Sequence, residues 1–131
     1  MSASLALIPL VVGSMPAAAQ QAPNNKPATQ DDIFLYRGMG SSYLCNARAA
    51  KIEYPKAVSV AAATYVQVLN GRHGGMVESV GSKKLSNEQL LAGAEFQIIT
   101  GALQYCADQV PEDVKAKVEA AIKKQGAKPA N

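Results

Sequence analysis

The chain has 131 residues, a formal net charge of +3, two cysteines and one histidine. Its basic residues are interspersed with acidic ones, and no aromatic residues alternate with a basic stripe, which argues against nucleic-acid binding. A single histidine cannot supply the several ligands that zinc or two-metal hydrolysis normally takes, so we expect no metal and no other cofactor.

The first residues form a short apolar run, Leu5 to Val12, followed by three alanines before Gln20. An apolar core ahead of small residues is typical of a secretory signal peptide. No Lys or Arg precedes Leu5, so a frayed apolar N-terminus on a cytosolic protein remains the alternative. The run is far shorter than the roughly 20 apolar residues that span a bilayer. We predict a signal peptide over residues 1–19 and an exported protein without stable membrane insertion after cleavage, located in the periplasm, the thylakoid lumen or outside the cell.

Polar segments flank the predicted domain. Residues 20–30 contain two prolines and few apolar side chains, which predicts a disordered leader, and residues 126–131 predict a disordered tail. The helical domain is therefore expected over residues 31–125, which is enough chain for a single hydrophobic core.

The first predicted helix follows Asp31 and Asp32, which can cap it, and ends at Asn46 or Lys51. Gly38 and Gly40 lower its helix propensity by about 1 kcal/mol each relative to alanine, but they also let another backbone come close.

The second predicted helix begins at Pro55, and the pair Asn70-Gly71 is a stop signal. Residues 58–68 are rich in β-branched side chains and also permit a strand. The alanine triplet at 61–63 and the length of the segment favour a helix.

The third predicted helix begins with a capping box formed by Ser86 and Gln89. It is apolar almost all round, so we expect it to be the central helix, buried by its neighbours. The non-apolar stripe on this helix consists of Gly93, Gln97, Thr100 and Gln104.

The fourth predicted helix follows Pro111, with Glu112 and Asp113 in its first turn. Its apolar stripe is narrow, so it should lie on the outside. The sequence therefore predicts an all-α protein, a small domain of four helices.

The two cysteines, Cys45 and Cys106, form an even count behind an export signal, which predicts one disulfide between the first and third helices. In the chain-entropy model, a disulfide that closes a loop of this length stabilises the fold by roughly 4 kcal/mol. Two buried free thiols remain the alternative for a cytosolic chain.

The segment 70–85 joins the second and third helices and is rich in glycine and basic residues. Backbone N–H groups freed by glycine, an arginine fork and a histidine would suit an anion. A flexible connector with solvated side chains is the alternative. The candidate ligand-binding or anion-binding residues are Arg72, His73, Gly74, Gly75, Lys83 and Lys84.

A catalytic interpretation of this segment would make His73 the general base, with Glu78 to orient it and Ser79 or Ser82 as nucleophile. One glycine-rich loop is a poor scaffold for such geometry. We therefore expect a mobile, solvated His73 ring and no catalytic residue.

Four tyrosines also fall on predicted helices, where they could line a ligand pocket or serve as ordinary core and rim residues. They are Tyr36, Tyr43, Tyr65 and Tyr105.

The stretches "DDIFLYRGMGSSYLCNARAA" and "LNGRHGG…SNEQLLAGAEFQIITGALQYC" resemble a group of small exported proteins of marine cyanobacteria. The resemblance covers about residues 31–125. Some members of that group carry the label "cAMP phosphodiesterase", which implies a phosphodiester hydrolase. The label conflicts with the residues, because phosphodiesterases of this kind use an HxHxDH cluster and this chain has one histidine.

The sequence as a whole favours an exported helical binding or structural module without enzymatic activity, whose partner is an unidentified protein or a small anionic ligand. Two alternatives stay open. One is a small phosphodiesterase-type hydrolase that uses the 70–85 loop, and the other is an anion or small-molecule carrier.

Overall fold

The computed structural model describes residues 26–81 and 83–126, so the predicted signal peptide, residues 20–25, Ser82 and residues 127–131 lie outside it. The expected all-α architecture is confirmed. The helices are α1 (Gln30–Ala49), α2 (Tyr54–His73), α3 (Asn87–Tyr105) and α4 (Glu112–Gly126). Two single 3₁₀ turns, Glu78–Val80 and Ala107–Gln109, precede α3 and α4.

Helix α1 begins earlier than predicted, because its N-cap is Thr29 and not the aspartate pair. The Thr29 side chain accepts from the Asp32 backbone N–H, and the Asp32 carboxylate accepts from the Thr29 N–H at 2.9 Å. These reciprocal bonds form a capping box. The ordered domain extends upstream of the cap, since Ala28 is fully buried. The last residues of the predicted leader, 26–30, are therefore part of the fold.

Helix α2 begins with Pro55 in its first turn, as predicted, but it does not end at Asn70-Gly71. It continues to His73 and ends at Gly74, which adopts the left-handed conformation with φ 60° and donates its N–H to the Leu69 carbonyl. Gly71 lies in an exposed helical position, where glycine costs about 1 kcal/mol relative to alanine. Packing of the inward face of α2 offsets that cost, so the local stop signal is overridden.

Helix α3 starts with the predicted capping box of Ser86 and Gln89. It contacts each of the other three helices and is central in that sense. It does not bury its whole circumference, however, because Leu91 and Tyr105 are exposed. The buried residues form one face: Leu90, Ala94, Ile98, Gly101 and Ala102.

Helices α1 and α3 run parallel and in close contact, with α2 antiparallel to both. The Ser41 hydroxyl donates to the Ile98 carbonyl of α3 at 2.9 Å. A Cβ atom added at Gly40 would lie 2.7 Å from the Ile98 side chain, and one added at Gly101 would collide with Ser41. The close approach predicted for the α1 glycines thus holds at Gly40, whereas a Cβ at Gly38 would meet nothing within 4 Å.

The predicted disulfide joins Cys45 near the end of α1 to Cys106 directly after α3, with a Cα–Cα distance of 5.9 Å. Helix α4 lies on the outside, as expected, and Val118 is the buried residue among its described positions. Over residues 26–81 and 83–126, no helix combines the length and hydropathy needed to cross a membrane.

Candidate functional site

The described chain between α2 and α3 forms a strap, residues 76–81 and 83–85, that lies against the ends of the helices. Ala28 pairs with it on one side, donating its N–H to the Met76 carbonyl and accepting from the Glu78 N–H. At the other end, the Leu85 N–H donates to the Gly75 carbonyl at 2.9 Å. These bonds connect the strap to the segment before α1 and to the residues that follow α2.

His73 is buried, with only 2% of its surface exposed. Its Nε2 lies 2.9 Å from the Tyr36 hydroxyl and its Nδ1 lies 2.9 Å from the Lys26 carbonyl oxygen. A carbonyl can only accept, so Nδ1 carries the proton, and in the neutral ring Nε2 accepts from Tyr36. The expectation of a mobile, solvated ring is wrong, because α2 extends one turn further and places His73 on its buried face.

The other residues of the predicted anion site do not join His73. Arg72, Lys83 and Lys84 are exposed to solvent, while the imidazole points inward from the same turn as Arg72. Gly74 and Gly75 both have positive φ, so they shape the end of α2.

The described residues do not form a catalytic site around His73. Both ring nitrogens of His73 are engaged by Tyr36 and Lys26, which leaves neither for Ser79 or Glu78. The described part of the chain also contains no cluster of three or more His, Cys, Asp or Glu residues that could hold a metal ion.

A pocket of about 460 Å³ lies beneath the strap, between α1, α2 and α3. Its size falls in the range of small-molecule sites, which are mostly apolar with a few polar groups. None of the described lining residues is charged. They are Ile33 from α1, Tyr65 and Leu69 from α2, Val77, Ser79, Val80 and Leu85 from the strap, and Gln89, Leu90, Gly93, Ala94 and Gln97 from α3.

The polar side chains of the pocket come mainly from α3. Gln89, Gly93 and Gln97 are spaced by four residues, so they form one stripe along the helix. The Gln89 Oε1 is engaged as acceptor for the Ser86 N–H at 2.9 Å. Ser79 lies on the strap side of the same pocket. The site thus combines apolar walls with a short uncharged polar edge.

Tyr65 separates this pocket from a smaller one of about 190 Å³ between α1 and α2, which Tyr36 and Tyr43 also line. Its ring packs edge-on against Tyr36, with 5.9 Å between the ring centroids. Burial raises the pKa of Tyr65 to about 12, so its hydroxyl stays protonated at neutral pH. Three of the four predicted tyrosines therefore line pockets, whereas Tyr105 is exposed elsewhere.

Sequence reasoning missed the burial of His73 and the contribution of α3 and the strap to the larger pocket, although signals for His73 and α3 were present. His73 follows Leu69 by four residues and Tyr65 by eight, which continues the buried face of α2. Gly93 and Gln97 were recognised as a non-apolar stripe on an apolar helix. Both residues line the pocket, and Gly93 is also exposed to solvent.

Comparison with known proteins gives a family without an assigned activity. Among curated proteins and solved structures, none matches the chain. The cyanobacterial origin and the phosphodiesterase label suggested by the sequence resemblance therefore stay predictions. The model of one family, described as "Domain of unknown function (DUF8650)", matches residues 31–129, and the chain belongs to that family.

Proposed function

We propose that the protein is an exported helical module that binds a small molecule in the pocket beneath the strap and catalyses no reaction. The observation that carries the proposal is the pocket of about 460 Å³, whose walls come from three helices and the strap. A cavity of this size with apolar walls and a few polar groups suits ligand binding.

Export is supported by the signal-like pattern of residues 1–19 and by the disulfide, since disulfides persist mainly in oxidising compartments. N-terminal sequencing of the native protein tests it. A mature terminus near Gln20 is expected, and native material that retains Met1 would contradict export through a cleaved signal peptide.

Binding is tested by screening a library of small molecules of differing charge for stabilisation in a thermal-shift assay. Hits should lose their effect in Gly93→Leu, which places a side chain at the pocket. They should keep it in Gly38→Leu, a matched glycine on α1 where an added Cβ also meets no atom within 4 Å. If no compound of any charge stabilises the protein in a manner sensitive to Gly93, the proposal is wrong.

The absence of catalysis is tested separately with cyclic nucleotides and generic phosphodiesters. We expect no turnover by the parent protein, because both nitrogens of the only histidine are engaged in internal hydrogen bonds. Metal-dependent turnover that disappears in His73→Gln would support a hydrolase instead.

A further inference from the structure

The charge of the lining residues limits what the pocket accepts. Among the described residues, its wall contains no Asp, Glu, Lys, Arg or His. An ionised group moved from water into such a site finds no opposite charge, and its desolvation is not compensated. The exposed Lys83 and Lys84 belong to the strap but are not pocket-lining residues. The preferred occupant is therefore uncharged.

The polar groups at the edge of the pocket indicate the chemistry of the other end of the ligand. Gln97 presents both an amide donor and an amide acceptor, and Gln89 retains the donors of its Nε2 because its Oε1 is already engaged by Ser86. Ser79 adds a hydroxyl from the strap. These groups pair with a hydroxyl, a carbonyl or an amide. The other walls offer Ile33 of α1, Leu69 of α2 and Val77 of the strap to an apolar body.

Gly93 sets the width of the pocket on the α3 side. A Cβ atom added there would meet no atom within 4 Å, and its φ is not in the left-handed range. Gln89 and Gln97 flank it one turn before and one turn after, so a side chain at position 93 would lie between them over the pocket. A larger side chain at position 93 would therefore occupy part of this space.

From these observations, and resting on the proposed binding function, we propose that the pocket takes a neutral, mainly apolar small molecule with one hydrogen-bonding end, and that Gly93 determines which molecules fit. The apolar body lies against the aliphatic walls of α1, α2 and the strap. The polar end is held by the amides of α3.

The charge preference is tested with two fluorescent probes that share one aromatic skeleton, N-phenyl-1-naphthylamine and its sulfonated analogue 8-anilino-1-naphthalenesulfonate. Each is titrated against the parent protein, Gly93→Leu and Gly38→Leu. We expect the neutral probe to bind the parent at least about tenfold more tightly than the sulfonate, since tenfold corresponds to 1.4 kcal/mol. Gly93→Leu should weaken the neutral probe by about tenfold or more, and Gly38→Leu should not change it.

The outcomes separate the two proposals. Sulfonate binding that is equal or tighter, and still sensitive to Gly93→Leu, would overturn the neutral class while leaving the pocket as the binding site. Binding of neither probe in a manner sensitive to Gly93 would contradict the pocket and the ligand class together. A far-UV circular dichroism spectrum and melting curve for each variant exclude loss of folding as the cause. Replacing a helical glycine where an added Cβ meets no atom within 4 Å should preserve or raise the melting temperature.

The polar end is tested by displacement of the neutral probe with 1-octanol and with octanoate, which share a chain length and differ at one end. Octanol should displace the probe at lower concentration than octanoate. Gln97→Leu should weaken displacement by octanol. Stronger displacement by octanoate, or an unchanged response to octanol in Gln97→Leu, would overturn the assignment of the polar end.

Discussion

Removing the Tyr36 hydroxyl tests whether the buried His73 holds the segment before α1, residues 26–29 (the N-terminal segment), in place. In Tyr36→Phe, the ring still packs against Tyr65, but the Nε2 of His73 loses its hydrogen-bond donor. Burial also raises the pKa of Tyr36, which keeps this hydroxyl protonated as a donor in the parent protein. The substitution therefore removes one interaction and leaves the shape of the core almost unchanged.

The size of the effect follows from burial. With His73 only 2% exposed, water cannot replace the lost donor without opening the structure. Leaving a buried acceptor unpaired costs about 1–3 kcal/mol. For a domain of this size, each kcal/mol lowers the melting temperature by roughly 4–8 °C.

Urea denaturation followed by circular dichroism measures the global effect, and native-state hydrogen exchange measures the local one. The amides of Ala28 and Glu78 connect the N-terminal segment to the strap, so they should exchange faster in Tyr36→Phe. Tyr43→Phe is the matched control on the same helix, because Tyr43 is 41% exposed. The double variant Tyr36→Phe/His73→Leu should be less destabilised than the sum of its single changes, since an apolar pair leaves fewer buried groups unpaired.

A loss of less than about 0.5 kcal/mol in Tyr36→Phe, indistinguishable from Tyr43→Phe, would refute this reasoning, since surface changes normally fall within that range. Unchanged exchange at Ala28 and Glu78 would show that the histidine does not hold the segment.

Three further predictions concern the disulfide, the first cap and an unpaired hydroxyl. Replacing Cys45 and Cys106 by alanine should cost about 4 kcal/mol by the chain-entropy model, and an unchanged urea midpoint would contradict it. Hydrogen bonds from the Thr29 backbone and side chain lower the pKa of Asp32. The stabilisation of the fold by the Asp32 carboxylate is therefore present above the ordinary pKa of 3.8 and is lost as the pH falls through the lowered pKa. Asp32→Asn should therefore lose about 0.5 kcal/mol near neutral pH, with the difference from the parent closing in acid; a constant difference across an acid titration would exclude this account. Burial raises the pKa of Tyr54 to about 12, and its hydroxyl has no hydrogen-bond partner within the described residues. Tyr54→Phe should be neutral or stabilising near pH 7. The parent protein should lose stability as the pH rises from the unfolded-state pKa of 10.0 to the folded-state pKa of about 12, and Tyr54→Phe should not show this loss. A loss above about 1 kcal/mol at pH 7 in Tyr54→Phe would reveal a missed hydrogen-bond partner.

Features with a local chemical signal were predictable from the sequence. The capping box at Ser86, the early Pro55 in α2 and the pairing of Cys45 with Cys106 each depend on residue types at short spacing or on a simple count. The exterior position of α4 followed from its narrow apolar stripe, because one stripe can cover only one neighbour.

Features that depend on distant contacts were not predictable in the same way. Asn70-Gly71 is a valid local stop signal, but the packing of Leu69 and His73 carries α2 past it. His73 looked solvated because its sequence neighbours are Arg72 and two glycines, whereas its true partners come from α1 and from the segment before it. The charges of the 70–85 segment predicted an anion site, yet the described lining residues of the pocket beside it are all uncharged.

Because α4 lies on the outside of the protein, its residues are less constrained in sequence than those of the other three helices. Val118 is the buried residue among the described positions of α4, and no residue of this helix lines either pocket. Most of its surface therefore accepts substitution freely. By contrast, a side chain added at Gly40 would displace the Ile98 side chain, and one added at Gly101 would displace the Ser41 side chain. Variation among related proteins should accumulate on α4, and fusion partners or labels attached to this helix should leave the rest of the domain undisturbed.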